Sequence, residues 1–334
     1  MQEILKGLND KQYEAVIKSE GSSLVIAGAG SGKTKVLTHK IAYLIQEKGA
    51  KPWDILAITF TNKAANELKE RIETLVGDVA KEIWMGTFHS ICVRILRRFI
   101  DRIGFNSDFI IFDTSDQKTL VKGCLKDLAI DDKLFSDRAV LSEISNAKNE
   151  MLEPDQYQAR ATGDYRKEKI ATVYNLYQKR LKENNAIDFD DIINYTIKIL
   201  MENPDILEYY SNKFKYVLVD EYQDTNKSQF TLVTLFASRH GNITVVGDND
   251  QCLVGTTKIE TINGQKLIKD IQSGEKIICA SGNGNITEGI VEKKTKRSYK
   301  GKIVKITTNK GNEIIGTCNH TIFAKIEKNP NIYY

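Results

Sequence analysis

The chain has 334 residues, 48 basic and 44 acidic, with 41% apolar and 28% charged side chains. That length supports two to three domains, each with its own core, and that composition excludes a disordered or fibrous chain. The net charge of +4 is unevenly placed: residues 1–251 carry −3, and residues 252–334 carry +7 with 9 of the 22 glycines and 15 Ile against 2 Leu.

No run approaches the roughly 20 apolar residues of a membrane helix. The opening Met1-Gln2-Glu3-Ile4-Leu5-Lys6 lacks a basic region and an apolar stretch, so no signal peptide is expected. Five cysteines without CxxC spacing suggest neither a disulfide framework nor a zinc site. Free thiols in a reducing, cytoplasmic compartment are the expectation.

In chain order, Ser23, Leu24, Val25, Ile26 and Ala27 predict a short buried parallel strand. It leads into Gly28-Ala29-Gly30-Ser31-Gly32-Lys33-Thr34, and Leu37, Ile41 and Leu44 then recur at helical spacing. Strand, glycine-rich turn and helix N-terminus let several backbone N–H groups face one anion. Lys33 would reach the β/γ-phosphates of a nucleotide, and the Thr34 hydroxyl would ligate Mg2+. The strict pattern asks for Gly at position 27, where this chain has Ala27.

Phe60 and Phe88 each follow a predicted strand end, where a ring serves equally as core or as a stacking face for a base. His89 reads as a core or capping histidine or as a nucleic-acid contact. Arg94, Arg97 and Arg98 read as a solvated helix face. Residues 113–188 are charged and helical in pattern, with Ile170, Val173, Tyr174, Tyr177 and Leu181 forming an internal stripe.

A second apolar strand over residues 216–219 ends in Asp220-Glu221, the edge where open α/β sheets bind ligands. Asp220 would hold Mg2+ and Glu221 would polarise an attacking water. A third strand over 243–246 runs into Gly247-Asp248-Asn249-Asp250-Gln251, adding an amide to that edge.

Together these residues resemble the UvrD/PcrA/Rep group of superfamily 1 DNA helicases. Residues 8–16, LNDKQYEAV, are similar to the group's Q motif, which implies that Gln12 reads the adenine edge. AGAGSGKT at 27–34 is the group's usual phosphate loop, which accounts for Ala27. The resemblance implies nucleotide contacts from Gln12, Ala27, Gly28, Ala29, Gly30, Ser31, Gly32, Lys33, Thr34 and Lys35. TFTNKAA at 59–65 resembles motif Ia and GTFHS at 86–90 the next DNA-contact motif, which implies DNA contacts from Phe60, Thr61, Asn62, Phe88 and His89. VDEYQDTN at 219–226 is similar to motif II, with Tyr222 where Phe is commoner. VGDNDQ at 246–251 resembles the first half of motif III, whose Gln251 would sense the γ-phosphate.

The implied fold is an α/β RecA-like parallel-sheet motor domain, a P-loop NTPase termed 1A, over residues 1–112 and 189–251. A helical insertion, 1B, occupies 113–188, and Asp188-Phe189-Asp190-Asp191 marks the return. The implied activity is hydrolysis of ATP with Mg2+, coupled to 3'-5' translocation on single-stranded DNA and unwinding at duplex junctions, in repair or replication.

After Gln251 the group continues with Ser-Ile-Tyr, whereas this chain has Cys252-Leu253-Val254-Gly255-Thr256-Thr257. From here apolar and polar residues alternate, in 258–262, 301–306 and 312–316, between Asn-Gly and Gly-Asn turns, which predicts antiparallel β structure. The tail, 252–334, resembles the N-terminal part of an intein, a self-splicing domain of the Hint fold. Cys252 stands at the first intein position, Thr261-Ile262-Asn263-Gly264 is similar to the opening hairpin, and Thr317 to His320 to the TxxH motif of block B. A Cys252 thiolate can attack the carbonyl of Gln251, turning the amide into a thioester once the leaving nitrogen is protonated. His320 would supply that proton and Thr317 would help polarise the bond.

Cys279 and Cys318 read as small buried hydrophobes, and Lys293-Lys294-Thr295-Lys296-Arg297 as a solvated loop. The expected partners are DNA and the remainder of the helicase and intein, in cis, or in trans if the intein is split. This piece alone is expected neither to unwind DNA nor to splice in cis. Two other readings stay open: an ATP-binding regulatory module with a β-rich interaction domain, and an inactive intein relic.

Overall fold

The structure is a computed structural model that describes residues 2–27, 32–247, 254–262, 264–282, 285–291, 294, 303–307 and 313–317. It divides into two compact units, Met1–Asp248 and Asn249–Tyr334.

The first unit opens with α1 (Gln2–Leu5), α2 (Asp10–Ile17), β1 (Ser23–Ile26) and α3 (Lys33–Gln46). β2 (Ile55–Thr59), α4 (Asn62–Val76), β3 (Trp84–Thr87) and α5 (Phe88–Phe99) follow as two strand–helix pairs. Every residue of β2 is buried, as its unbroken apolar run requires of a strand covered on both faces. Thr61 and Thr87 start α4 and α5 by accepting the backbone N–H groups of Ala64 and Ser90.

Next comes β4 (Ile110–Ile111) and a run of helices: α6 (Thr114–Asp127), α7 (Asp137–Asn149), α8 (Pro154–Ala161) and α9 (Tyr165–Glu183). β5 (Ala186–Ile187) then pairs in parallel with β4, so the two ends of this helical excursion meet at a short neck. Ile170, Val173, Tyr174, Tyr177 and Leu181 of α9 are all buried, inside a core that these helices share among themselves.

The chain returns through α10 (Phe189–Glu202), α11 (Pro204–Lys213), β6 (Tyr216–Val219), α12 (Lys227–Ala237) and β7 (Ile243–Gly247). Asp188 caps α10, its side chain accepting the N–H of Asp191. The central sheet is five-stranded in the order β1-β7-β6-β2-β3, and every pairing in it is parallel. Helices cover it around two apolar cores. This is the α/β parallel-sheet architecture that the resemblance implies for residues 1–251. Among the described residues, no helix is long and apolar enough to cross a membrane.

The return is fastened to the excursion by charge. Lys148 of α7 is 2% exposed and donates to Asp188 at 2.6 Å and to Asp191 at 2.7 Å. The Tyr177 hydroxyl adds a bond to Asp188, and Gln178 one to Asp191.

The second unit is antiparallel throughout its described strands, as its alternating pattern predicts. β8 (Lys258–Thr261), β9 (Gly264–Leu267), β10 (Lys276–Gly282) and β11 (Asn285–Ile290) form a sheet in the order β11-β10-β8-β9. β12 (Ile303–Thr307) and β13 (Glu313–Thr317) pair separately. Gly264 opens β9 at φ +100°, a conformation that glycine adopts without strain in so tight a hairpin.

Candidate active site

Parallel pairing brings the C-terminal ends of β1, β7 and β6 to one edge of the sheet. Ala27, just past β1, donates its N–H to the Gly247 carbonyl at 3.0 Å, and Asp220, just past β6, donates to the Ile58 carbonyl at 3.0 Å. Gly28, Ala29, Gly30, Ser31 and Gln251 lie outside the described residues.

Gly32 precedes α3 at φ +90°, and a Cβ there would fall 2.7 Å from Nε2 of Gln12. Glycine is favoured at position 32 by its left-handed backbone, and Gln12 packs close against it. Gln12 is itself held in a reciprocal cap: its Oε1 accepts the Asn9 N–H at 3.1 Å, and Asn9 Oδ1 accepts the Gln12 N–H at 2.8 Å. Lys35 is engaged with the chain's own backbone, its Nζ donating to the Gly7 carbonyl at 2.6 Å.

Lys33, the first residue of α3, is 11% exposed at its side chain, and its Nζ lies 3.7 Å from Glu221 Oε2. Thr34 follows it into the helix. Across the edge, Asp220 is buried and receives the Glu221 N–H on Oδ1 at 3.0 Å. Burial, then the Glu221 carboxylate, push the Asp220 carboxyl up to about 6 against the pull of that N–H and of Lys33. Glu221 sits at φ +51°, a conformation unfavourable for a residue with a Cβ, which turns it back toward Lys33.

Two adjacent carboxylates, one buried and reluctant to ionise, form a donor set that a divalent cation satisfies. Mg2+ takes one or two protein oxygens and keeps most of its waters, so Asp220 and Thr34 suffice in number and chemistry to hold it. Among the described residues, no cluster of three or more His, Cys, Asp or Glu side chains offers a fuller cage.

Gln223 was not foreseen as a site residue. Its Nε2 donates to Glu221 Oε2 at 2.7 Å, and its Oε1 would meet a Cβ at Gly247 at 3.1 Å, so it links the carboxylate to the end of β7. The signal was its place two residues after the acidic pair.

At the ends of β2 and β3, Phe60 meets Phe88 edge-on, with centroids 5.4 Å apart. Phe88 is 1% exposed and belongs to the core, which corrects the expectation of a stacking face there. As the first residue of α5 it turns beneath the helix, while Phe60 is only partly buried. Thr61 and Asn62 are exposed at the start of α4. His89 packs edge-on to Phe189 at 5.8 Å, and burial lowers its imidazole pKa, partly opposed by a bond to the Phe189 backbone. Phe189, 49% exposed, marks the return of the chain in the sequence, but its meeting with His89 leaves no trace there because the two stand 100 residues apart. Arg94 and Arg97, expected to be merely solvated, lie 3.8 Å over the rings of Trp84 and Phe109.

In the second unit, Cys252, Cys318 and His320 lie outside the described residues. Thr317 ends β13, paired with Ile303. Val254 donates its N–H to the Ile315 carbonyl at 2.9 Å, and the buried Thr257 donates its hydroxyl to the same oxygen at 3.4 Å.

The UvrD/REP helicase N-terminal domain matches residues 8–261. The chain belongs to this helicase family. ATP-dependent DNA helicase PcrA of Staphylococcus aureus is 53% identical over 270 residues, 81% of this chain and 37% of that protein. PcrA of Bacillus subtilis is 50% identical over 276 residues, 83% of this chain and 37% of its own length. PcrA of Staphylococcus epidermidis is 54% identical over 255 residues. This UvrD/REP chain thus spans a little over a third of the length of the curated relatives it matches.

Proposed function

We propose that residues 1–112 and 189–251, with the helical insertion 113–188, are the first motor domain of an ATP-dependent DNA helicase that hydrolyses ATP to move 3'-5' along single-stranded DNA and open duplex junctions. The observation that carries this reading is the 3.7 Å approach of Lys33 to Glu221 beside the buried Asp220, on the edge where three parallel strands end. The relatives' printed activity agrees with it. Lys33 and the loop N–H groups of residues 28–32 bind phosphates, Gln12 reads the base, and Thr34 and Asp220 hold Mg2+, which supplies charge neutralisation at the phosphates when bound. Glu221, turned toward Lys33 and held by Gln223, orients and deprotonates the attacking water. Gln251 reports the γ-phosphate. DNA passes Phe60, Thr61, Asn62 and His89, with Phe88 supporting Phe60 from within.

Titration calorimetry of the 334-residue chain with ATP and Mg2+ tests the nucleotide site. Binding is expected for the wild type, and Lys33→Ala should weaken it at least about 100-fold, the loss of a charged group's contact to phosphate. Equal affinity in both proteins sinks the assignment of Lys33.

We further infer that residues 252–334 are the N-terminal segment of an intein that interrupts motif III. The Val254–Ile315 hydrogen bond favours this reading. In sequence, Cys252 stands two residues before Val254 and Thr317 two residues after Ile315. Any reading frame beyond Tyr334 is expected to encode His-Asn followed by Ser, restoring motif III after excision. A frame that runs on without such a junction counts against the intein.

A further inference from the structure

The base-reading Gln12 stands on a weak element. α2 has eight residues, too few to hold a helix in isolation, and Val16 is its one buried side chain. Its position must therefore be set from outside.

The helix that carries the phosphate-binding residues supplies the fixation. Lys40 of α3 is 2% exposed, and its Nζ donates to the Ala15 carbonyl at 3.0 Å and to the Lys18 carbonyl. Those two oxygens lie in the last turn and at the C-cap of α2, where helix carbonyls lack intrahelical partners and partial negative charge accumulates. His39 meets the Ile4 carbonyl one residue earlier on α3, and Lys35 holds the Gly7 carbonyl. The strap thus spans the N-terminal segment from Ile4 to Lys18, with Gln12 in the middle. At the other end of the same geometry, Gln12 Nε2 closes on Gly32.

We propose that Lys40 is a positioning residue for base recognition: by gripping the C-terminal carbonyls of α2, it sets Gln12 in register with Gly32 and the start of α3. The inference rests on the reading of Gln12 as the base contact. Keeping an ammonium there is costly, since burial, with Lys18 nearby, lowers its pKa to about 8. An apolar residue of similar length would pack at that site without this cost, but would leave the α2 carbonyls without a donor.

A double-mutant cycle on the 334-residue chain, read as equilibrium binding of ATP and of GTP with Mg2+, tests it. The wild type is expected to prefer ATP and Gln12→Ala to lose that preference. Lys40→Met should weaken ATP about tenfold, the equivalent of one well-made hydrogen-bonding contact, while GTP moves less than twofold. In the Gln12→Ala background the same change should move ATP less than twofold. Lys40→Gln, which keeps a donor, should show the same selective loss at smaller size and serves if Lys40→Met does not fold. Equal losses for ATP and GTP, or losses that add to those of Gln12→Ala, overturn the proposal. A wild type that binds ATP and GTP equally, or neither, overturns the underlying reading of the site instead.

Discussion

Lys148→Met should lower the stability of the first unit by about 3–5 kcal/mol, the cost of leaving buried charges without their partner. The lysine is shared by Asp188 and Asp191, and all three side chains are buried. Lys148 and Asp188 support each other's charge: Lys148 is held above its ordinary pKa, and Asp188 below the usual carboxylate range. Burial, then the neighbouring Asp188, push Asp191 up to about 7. With methionine in place, neither carboxylate keeps a cation within reach, and the capping bonds that start α10 are strained at the neck of the excursion. For a unit of this size the melting midpoint should fall by about 10 °C. A midpoint within about 2 °C of wild type, the size of an ordinary surface substitution, would show that Lys148 does not hold this joint. Lys148→Met/Asp188→Asn/Asp191→Asn should recover much of the loss, because the orphaned charges are then gone.

Asp220→Asn should do the reverse, raising stability while destroying turnover. The Asp220 pKa is about 6 in the fold against an ordinary 3.8. A raised carboxylate favours the protonated form, so in the absence of a cation ionised Asp220 destabilises the fold above pH 6. That penalty fades as pH falls from 6 towards 4. The difference of about two pKa units corresponds to roughly 2–3 kcal/mol at pH 8. Asparagine keeps the shape and the acceptor for the Glu221 N–H but carries no charge. Metal-free melts at pH 8 should place Asp220→Asn several degrees above wild type, and at pH 5 the gap should narrow to about half. ATP hydrolysis by the assembled helicase should fall by about 100-fold or more with the loss of a cation ligand. Wild-type stability with full turnover would remove Asp220 from the site.

The edge that holds this chemistry was legible in the sequence for a local reason. A buried parallel strand must run straight into its ligand-binding turn, so the glycine-rich loop after Ala27 and the acidic pair after Val219 announce themselves at adjacent positions. The antiparallel tail was legible likewise, since alternation and Asn-Gly turns are local signals. What escaped was whatever depends on meetings across the chain. Lys148 stands 40 residues from Asp188, and His89 stands 100 from Phe189, so neither partnership leaves a periodic trace. Phe60 and Phe88 look alike in sequence, each after a strand. Only the start of α5 at Phe88 turns one ring into the core and leaves the other partly open. Lys40 falls on the apolar face of α3 among Leu37, Ile41 and Leu44, and its purpose becomes apparent only when α2 presents its carbonyls.

A helicase motor that stops at Gln251 and a self-excising element that begins at Cys252 would share one peptide bond, and intact mass of the 334-residue chain after incubation with a small thiol reads the fate of that bond. The thiol would intercept a thioester between these two residues, releasing residues 1–251 as a thioester and residues 252–334 with a free amino terminus. Cleavage at that single bond is predicted, abolished in Cys252→Ala and slowed in His320→Ala. A folded wild-type chain that stays whole under the same treatment, or one cut equally in Cys252→Ala, would contradict a self-excising element.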